Sequence, residues 1–282
     1  MSNISITSCH AAGKAVLDLN GKWKDNRVMT KPLYVRGTAL GSGMPKICVP
    51  VTGETKDDIL TQVKSAADAG AELIEWRMDF WKEESPKKYL EETLYAVSGA
   101  APDIPLIFTI RTDREGGNFR YSARDYIALN ETAAESGRAD LIDIEYLQDP
   151  EEMGPLIEKL QGLGVRVIAS NHDFEKTAEN DELLDKFSRL EESGADVLKM
   201  AVMPQDTSDT ERLMACTRQT VDSITDKPVI AMAMGKDGTA SRIEGENFGS
   251  CVTFGTVGKG SAPGQMPIGE LRELLEELHR KK

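Results

Sequence analysis

From residue 45 onward, short apolar and β-branched runs alternate with stretches whose apolar positions recur at helical spacing. The strand-like runs number eight, at 46–51, 73–79, 105–111, 141–146, 166–172, 196–202, 228–234 and 251–257. Between them the 3.6-residue pattern predicts helices near 56–69, 87–98, 122–136, 150–163, 181–193, 208–223 and 268–280, with a shorter one near 239–247. Gly70, Gly137, Gly164 and Gly194 fall where helices should stop. Nearly continuous apolar strands, each followed by a helix, imply parallel pairing with both faces covered. Eight such units close more naturally into a single-domain (β/α)8 TIM barrel than into an open doubly wound sheet, which is the alternative.

Residues 1–44 stand outside this repeat. The run 34–40 predicts a hairpin closing the barrel bottom, so the barrel domain is taken as 33–282 and residues 1–32 as an extension without assigned function. At 282 residues the chain accommodates one such barrel.

Composition narrows the functional classes. A net charge of −13 disfavours nucleic acid and anionic membrane surfaces as partners. An anionic small molecule would have to be received by a few local arginines. No apolar run spans a bilayer and no secretory signal opens the chain, so a cytoplasmic protein is expected. Four scattered cysteines without C-x-x-C spacing argue against both a zinc site and a disulfide framework.

Barrel interiors are packed apolar layers, so charged side chains near the C-terminal ends of strands mark a site or a buried pair. That test selects Glu75, Arg77 and Asp79 in strand two, Arg111 in strand three, His172 in strand five and Lys199 in strand six. Of the three histidines, His172 alone falls at a barrel mouth. Lys199 sits among Val197, Leu198, Met200 and Ala201; an amine buried in apolar surroundings loses its proton and becomes a nucleophile that condenses with carbonyls. An ion pair of Lys199 with Glu75 or Glu145 accounts for the residue equally well at this stage. Arg77 and Asp79 could likewise be a simple ion pair, and no His-rich spacing suggests a metal.

The runs Glu75-Trp76-Arg77-Met78-Asp79, Thr109-Ile110-Arg111-Thr112 with Glu115-Gly116-Gly117, Asn171-His172-Asp173-Phe174, Leu198-Lys199-Met200, Met234 ahead of Ser241-Arg242, and Gly260-Ser261-Ala262-Pro263-Gly264-Gln265 together resemble the type I 3-dehydroquinate dehydratase family. The resemblance covers about residues 33–282. It implies dehydration of 3-dehydroquinate to 3-dehydroshikimate, on the route to chorismate and the aromatic amino acids, without metal or organic cofactor and commonly in a homodimer. By the same resemblance Lys199 is the Schiff-base lysine, His172 the general acid/base and Glu115 the carboxylate that orients it. Arg242 would pair with the substrate carboxylate beneath a loop carrying Ser261 and Gln265. Glu75, Arg77 and Arg111 would bind ring hydroxyls, and Met234, Phe174 and Ala262 would form apolar walls. Two other readings stay open: a class I aldolase, which would need a phosphate nest after strands seven and eight, and a catalytically silent barrel binding a small acid.

Overall fold

A computed structural model describes residues 30–83, 86–258 and 260–282. The chain forms a (β/α)8 barrel. Its parallel staves are β3 (Lys46–Val51), β4 (Leu73–Arg77), β5 (Leu106–Thr109), β6 (Leu141–Glu145), β7 (Arg166–Asp173), β8 (Val197–Val202), β9 (Val229–Ala233) and β10 (Val252–Thr256). β10 pairs with β3, and the ring closes between β9 and β10 through a parallel bridge from Val229 to Ser250. The Cys251 N–H donates to the Val229 carbonyl at 2.8 Å at this seam.

The intervening helices are α1 (Lys56–Asp68), α2 (Pro86–Ala100), α3 (Ala123–Glu135), α4 (Pro150–Gly162), α5 (Asn180–Glu192), α6 (Thr207–Ser223) and α9 (Ile268–Arg280). Local chemistry sets their ends. The Thr55, Ser122 and Asp206 side chains accept from first-turn N–H groups of α1, α3 and α6, and Pro150 opens α4. The four glycines expected to stop helices all take positive φ.

Each stave ends close to where the pattern places it, except that two stop short. β4 stops at Arg77 and continues as a 3-10 turn, Met78–Phe80, so the expected strand through Asp79 is two residues too long. β5 stops at Thr109, before Arg111. The short helix near 239–247 is two pieces, α7 (Thr239–Ile243) and α8 (Gly245–Phe248). A short strand that the pattern did not suggest, β11 (Met266–Pro267), pairs parallel with β10.

The expected hairpin is present as β1 (Leu33–Val35) and β2 (Thr38–Leu40), turning on Arg36 (φ 45°) and Gly37 (φ 81°), as a two-residue hairpin loop requires. Its Val35 and Leu40 pack with Cys48, Leu73, Ile107, Leu141, Ile168, Val197, Ile230 and Val252, the lowest inward residues of all eight staves. Arg36 clamps this plug, donating to Asp140 Oδ1 at 2.7 Å and to the Pro102 carbonyl at 2.5 Å. Residues 1–29 of the expected extension lie outside the described residues; Thr30 is buried and donates to the Gly41 carbonyl. Among the described residues no helix is long and apolar enough to cross a membrane.

Candidate active site

Period-two alternation decides what the upper barrel contains. Ile74, Trp76, Phe108, Ile142, Ile144, Leu198 and Met200 point outward into the core beneath the helices. Their strand neighbours Glu75, Arg77, Thr109, Asp143, Glu145, Ser170 and Lys199 therefore point inward, and all are buried.

Lys199 is the centre of this polar layer. Its Nζ lies 2.7 Å from Asp143 Oδ2 and 3.2 Å from Glu75 Oε1, and 5.0 Å from the centre of the Phe254 ring. The apolar surroundings inferred from its sequence neighbours are thus incorrect: Leu198 and Met200 face the helices, and carboxylates surround the amine. Of the two ion-pair partners considered, Glu75 is one; the other is Asp143, not Glu145. Asp143 Oδ1 accepts from Arg111 Nη2 at 2.9 Å and from Ser170 Oγ at 2.6 Å. Burial alone would raise the Asp143 carboxyl, but the Arg111 and Lys199 charges outweigh it and hold it well below the usual carboxylate range.

Arg111, 3% exposed, also donates to Glu145 Oε1 and to Ser170 Oγ, and passes 3.8 Å from Glu115. Glu145 is fixed further by the Thr112 N–H and hydroxyl. Arg77 forms a two-pronged pair with Asp79 at 2.7 and 2.9 Å, and Asp79 also accepts from the N–H groups of Arg111 and Asn118.

His172 stands two residues above Ser170 on β7, and Ser170 is in register with Lys199 on β8. Its Nδ1 meets Glu115 Oε2 at 2.8 Å, and its backbone N–H donates to the same oxygen at 2.9 Å. Nε2 is left for chemistry. Asn171 and Gln148 donate to the other Glu115 oxygen. Burial, then the charges of Arg111 and Lys199, pushes the imidazole well below its ordinary pKa, leaving a neutral base. Burial, with Glu145 nearby, pushes Glu115 up to about 8. A cavity of about 490 Å³ adjoins the pair, lined in part by Gly116, Gln148, Asn171, His172 and Phe174. Gly116 is needed there, since a Cβ would meet the Phe174 ring at 2.5 Å.

The remaining expected site residues form a second group. Arg242 on α7 is 1% exposed; its Nη2 donates to the Pro263 carbonyl at 2.8 Å, while Nε and Nη1 are buried without a partner among the described residues. Burial pulls this guanidinium down to about 10. The same Pro263 carbonyl accepts from the Gly235 N–H, next to buried Met234. Ser261 and Gln265 bond each other across the loop, at 2.8 Å from the Ser261 N–H and 3.1 Å from the Gln265 amide, with partly buried Ala262 between them. A buried guanidinium with two donor nitrogens unpartnered among the described residues suits an anionic ligand. Among the described residues no three His, Cys, Asp or Glu side chains group as a metal site.

Asp143, which holds Lys199 Nζ, is a position of this polar layer that local sequence pattern does not single out. In Leu141-Ile142-Asp143-Ile144-Glu145 both carboxylates share the inward face with Leu141.

The model of the type I 3-dehydroquinase family matches residues 47–282. The chain is 41% identical over 250 residues to a 3-dehydroquinate dehydratase of Klebsiella pneumoniae, covering 89% of this chain and all of that one. It is 42% identical to the Bacillus licheniformis protein of the same name, covering 89% and 99%. A crystal structure of type I 3-dehydroquinate dehydratase from Clostridium difficile with covalently modified comenic acid superposes with a TM-score of 0.86 at 39% identity, covering 90% of this chain and 100% of that one.

Proposed function

Because the chain belongs to the type I 3-dehydroquinase family, we propose that it dehydrates 3-dehydroquinate to 3-dehydroshikimate through an imine on Lys199, with His172 as general base and then general acid. The observation that carries this reading is the placement of a buried amine and a neutral, carboxylate-braced imidazole on adjacent staves of one barrel interior.

Condensation of Lys199 with the ring ketone creates a cationic imine, which acidifies the neighbouring C–H. His172 takes that proton through Nε2, and the β-hydroxyl leaves as water on receiving it back. Glu115 fixes the ring through Nδ1 and supports the imidazolium that forms. The buried, half-unpartnered Arg242 guanidinium is a receptor for the substrate carboxylate, because its planar fork meets both oxygens. Ser261, Gln265, Ala262 and Met234 would close over that end of the ligand, with Phe174 beside the histidine. Arg77 and Glu75 would address ring hydroxyls. Arg111 spends its donors on Asp143, Glu145 and Ser170, so its role is to keep Asp143 ionised beside the amine and to fix Glu145 and Ser170 in place. The aromatic route, the cytoplasmic setting and the homodimer belong to the same proposal.

Incubation with 3-dehydroquinate and borohydride, followed by peptide mass mapping, tests the reading. A reduced adduct on Lys199 is expected; an adduct elsewhere, or turnover that survives Lys199→Ala, would overturn it.

A further inference from the structure

An ammonium has three N–H donors, whereas a protonated imine has one. The condensation balances as C=O plus Lys-NH₃⁺ giving C=NH⁺-Lys plus H₂O: the C=N bond forms, the C–O bond breaks, and two of the three protons leave with the oxygen. Lys199 serves two carboxylates before the reaction, Asp143 at 2.7 Å and Glu75 at 3.2 Å. Afterwards it can serve only one. Resting on the imine reading above, we propose that Asp143 is the counter-ion of the protonated imine and that Glu75 is the carboxylate released to the substrate.

The surroundings of the two carboxylates decide between them. Asp143 is completely buried and cannot swing away, since Arg111 Nη2 and Ser170 Oγ grip its Oδ1 and leave Oδ2 aimed at Nζ. Glu75 is farther from the amine, and the oxygen it offers already accepts from the Thr109 hydroxyl at 3.0 Å. Glu145 is taken up by Arg111 and by the Thr112 N–H and hydroxyl. The other groups around Nζ do not compete for the proton: Cys48 on β3 has its thiol pushed up by burial, Arg111 just past β5 is a cation, His172 on β7 is bound to Glu115, and β10 presents the Phe254 ring. A carboxylate at hydrogen-bond distance keeps the imine protonated, and only the protonated form draws electrons from the ring C–H bond.

The test is trapping of 3-dehydroquinate on Lys199 with cyanoborohydride, which reduces protonated imines, followed by mass spectrometry from pH 6 to 10. In the unaltered protein trapping should persist to high pH. In Asp143→Asn its alkaline fall should move to lower pH by about one to three units, the reach of one adjacent opposite charge. Asp143→Glu should restore the fall to near its original position, and Glu75→Gln should leave it in place although turnover drops. An unmoved fall in Asp143→Asn, or an equal shift in Glu75→Gln, overturns the assignment. Should Asp143→Asn not fold, Glu75→Gln and Asp143→Glu still decide: a shift in the first without one in the second names Glu75 as the counter-ion. Absence of any adduct on Lys199 in the unaltered protein overturns this inference and the imine reading together, whereas normal adduct with a misassigned carboxylate overturns this inference alone.

Discussion

The lower and upper halves of the barrel interior are made from the same strands and have opposite chemistry. Going up β4, β6, β7 and β8, Leu73 is followed by Glu75 and Arg77, Leu141 by Asp143 and Glu145, Ile168 by Ser170 and His172, and Val197 by Lys199. The lower layer is apolar and sealed by the hairpin's Val35 and Leu40. The upper layer of these staves is a network of buried charges and hydroxyls, flanked by the apolar Met232 of β9 and Phe254 of β10. Burying apolar surface stabilises in proportion to area. A buried ion pair roughly offsets its own desolvation. The lower half should therefore hold the barrel together while the upper half carries out the chemistry at little net stability.

The largest effect expected from this division lies in the upper half. His172→Ala should reduce turnover by a factor on the order of 10²–10⁴, the contribution of a positioned base. The variant should still form the Lys199 adduct and unfold near the original midpoint, as steady-state kinetics and urea titration would show. Near-normal turnover would remove His172 from the scheme. A large drop in stability would mean that the charged network also holds the fold, and the division between halves would fail.

The converse change is Leu40→Ala in the plug. Loss of a fully buried leucine at the barrel floor should cost about 2–5 kcal/mol, with kcat/KM of the folded protein unchanged. A fall in kcat/KM at unchanged folded fraction would show that the floor sets the geometry of the staves above it.

Much of this contrast was legible in the sequence, and the parts that were not share a cause. Strand and helix order, the helix-stopping glycines and the hairpin all depend on local residue patterns, and each emerged close to its final bounds. What failed depends on register between strands. Leu198 and Met200 flank Lys199 in sequence, but in a strand the adjacent residues face the other side, so they describe the environment that the side chain does not enter. Its true neighbours are set by the β6–β7–β8 alignment, in which Asp143 pairs with Ile168 and Lys199 with Ser170. Local patterning carries no information about that alignment. The premature end of β4 has a similar origin: Asp79 is drawn into a 3-10 turn where it accepts N–H groups from two segments more than thirty residues away. Arg242 lies between these cases. Its motif marked it, but the buried, unspent donors that suit it to an anion appear only when the loop carrying Pro263 folds over it.

The smallest effect expected is a slope of stability with pH, and it isolates the one pair in the upper half whose protons are unsettled. In the folded protein Glu115 binds its proton up to about pH 8, because burial and Glu145 oppose its charge, while His172 is held neutral by burial and the nearby cations. Unfolded, the carboxyl releases its proton near pH 4.5 and the imidazole near 6.5. Between those two values each state of the pair carries one extra proton, on Glu115 when folded and on His172 when unfolded, so the pair gives no slope. Between 6.5 and about 8 only the folded state retains it. Because the folded state then binds more protons, stability falls as pH rises through this window, by up to about 2 kcal/mol, and levels off above it. Glu115→Gln removes the folded-state proton. Its stability should instead rise toward pH 6.5, as the unfolded imidazole loses its charge, and stay flat beyond. Urea midpoints at pH 5, 6.5, 8 and 9 distinguish the two curves. Parallel curves would mean that Glu115 is ionised at every one of these pH values in the folded protein, so that burial and Glu145 do not raise its carboxyl.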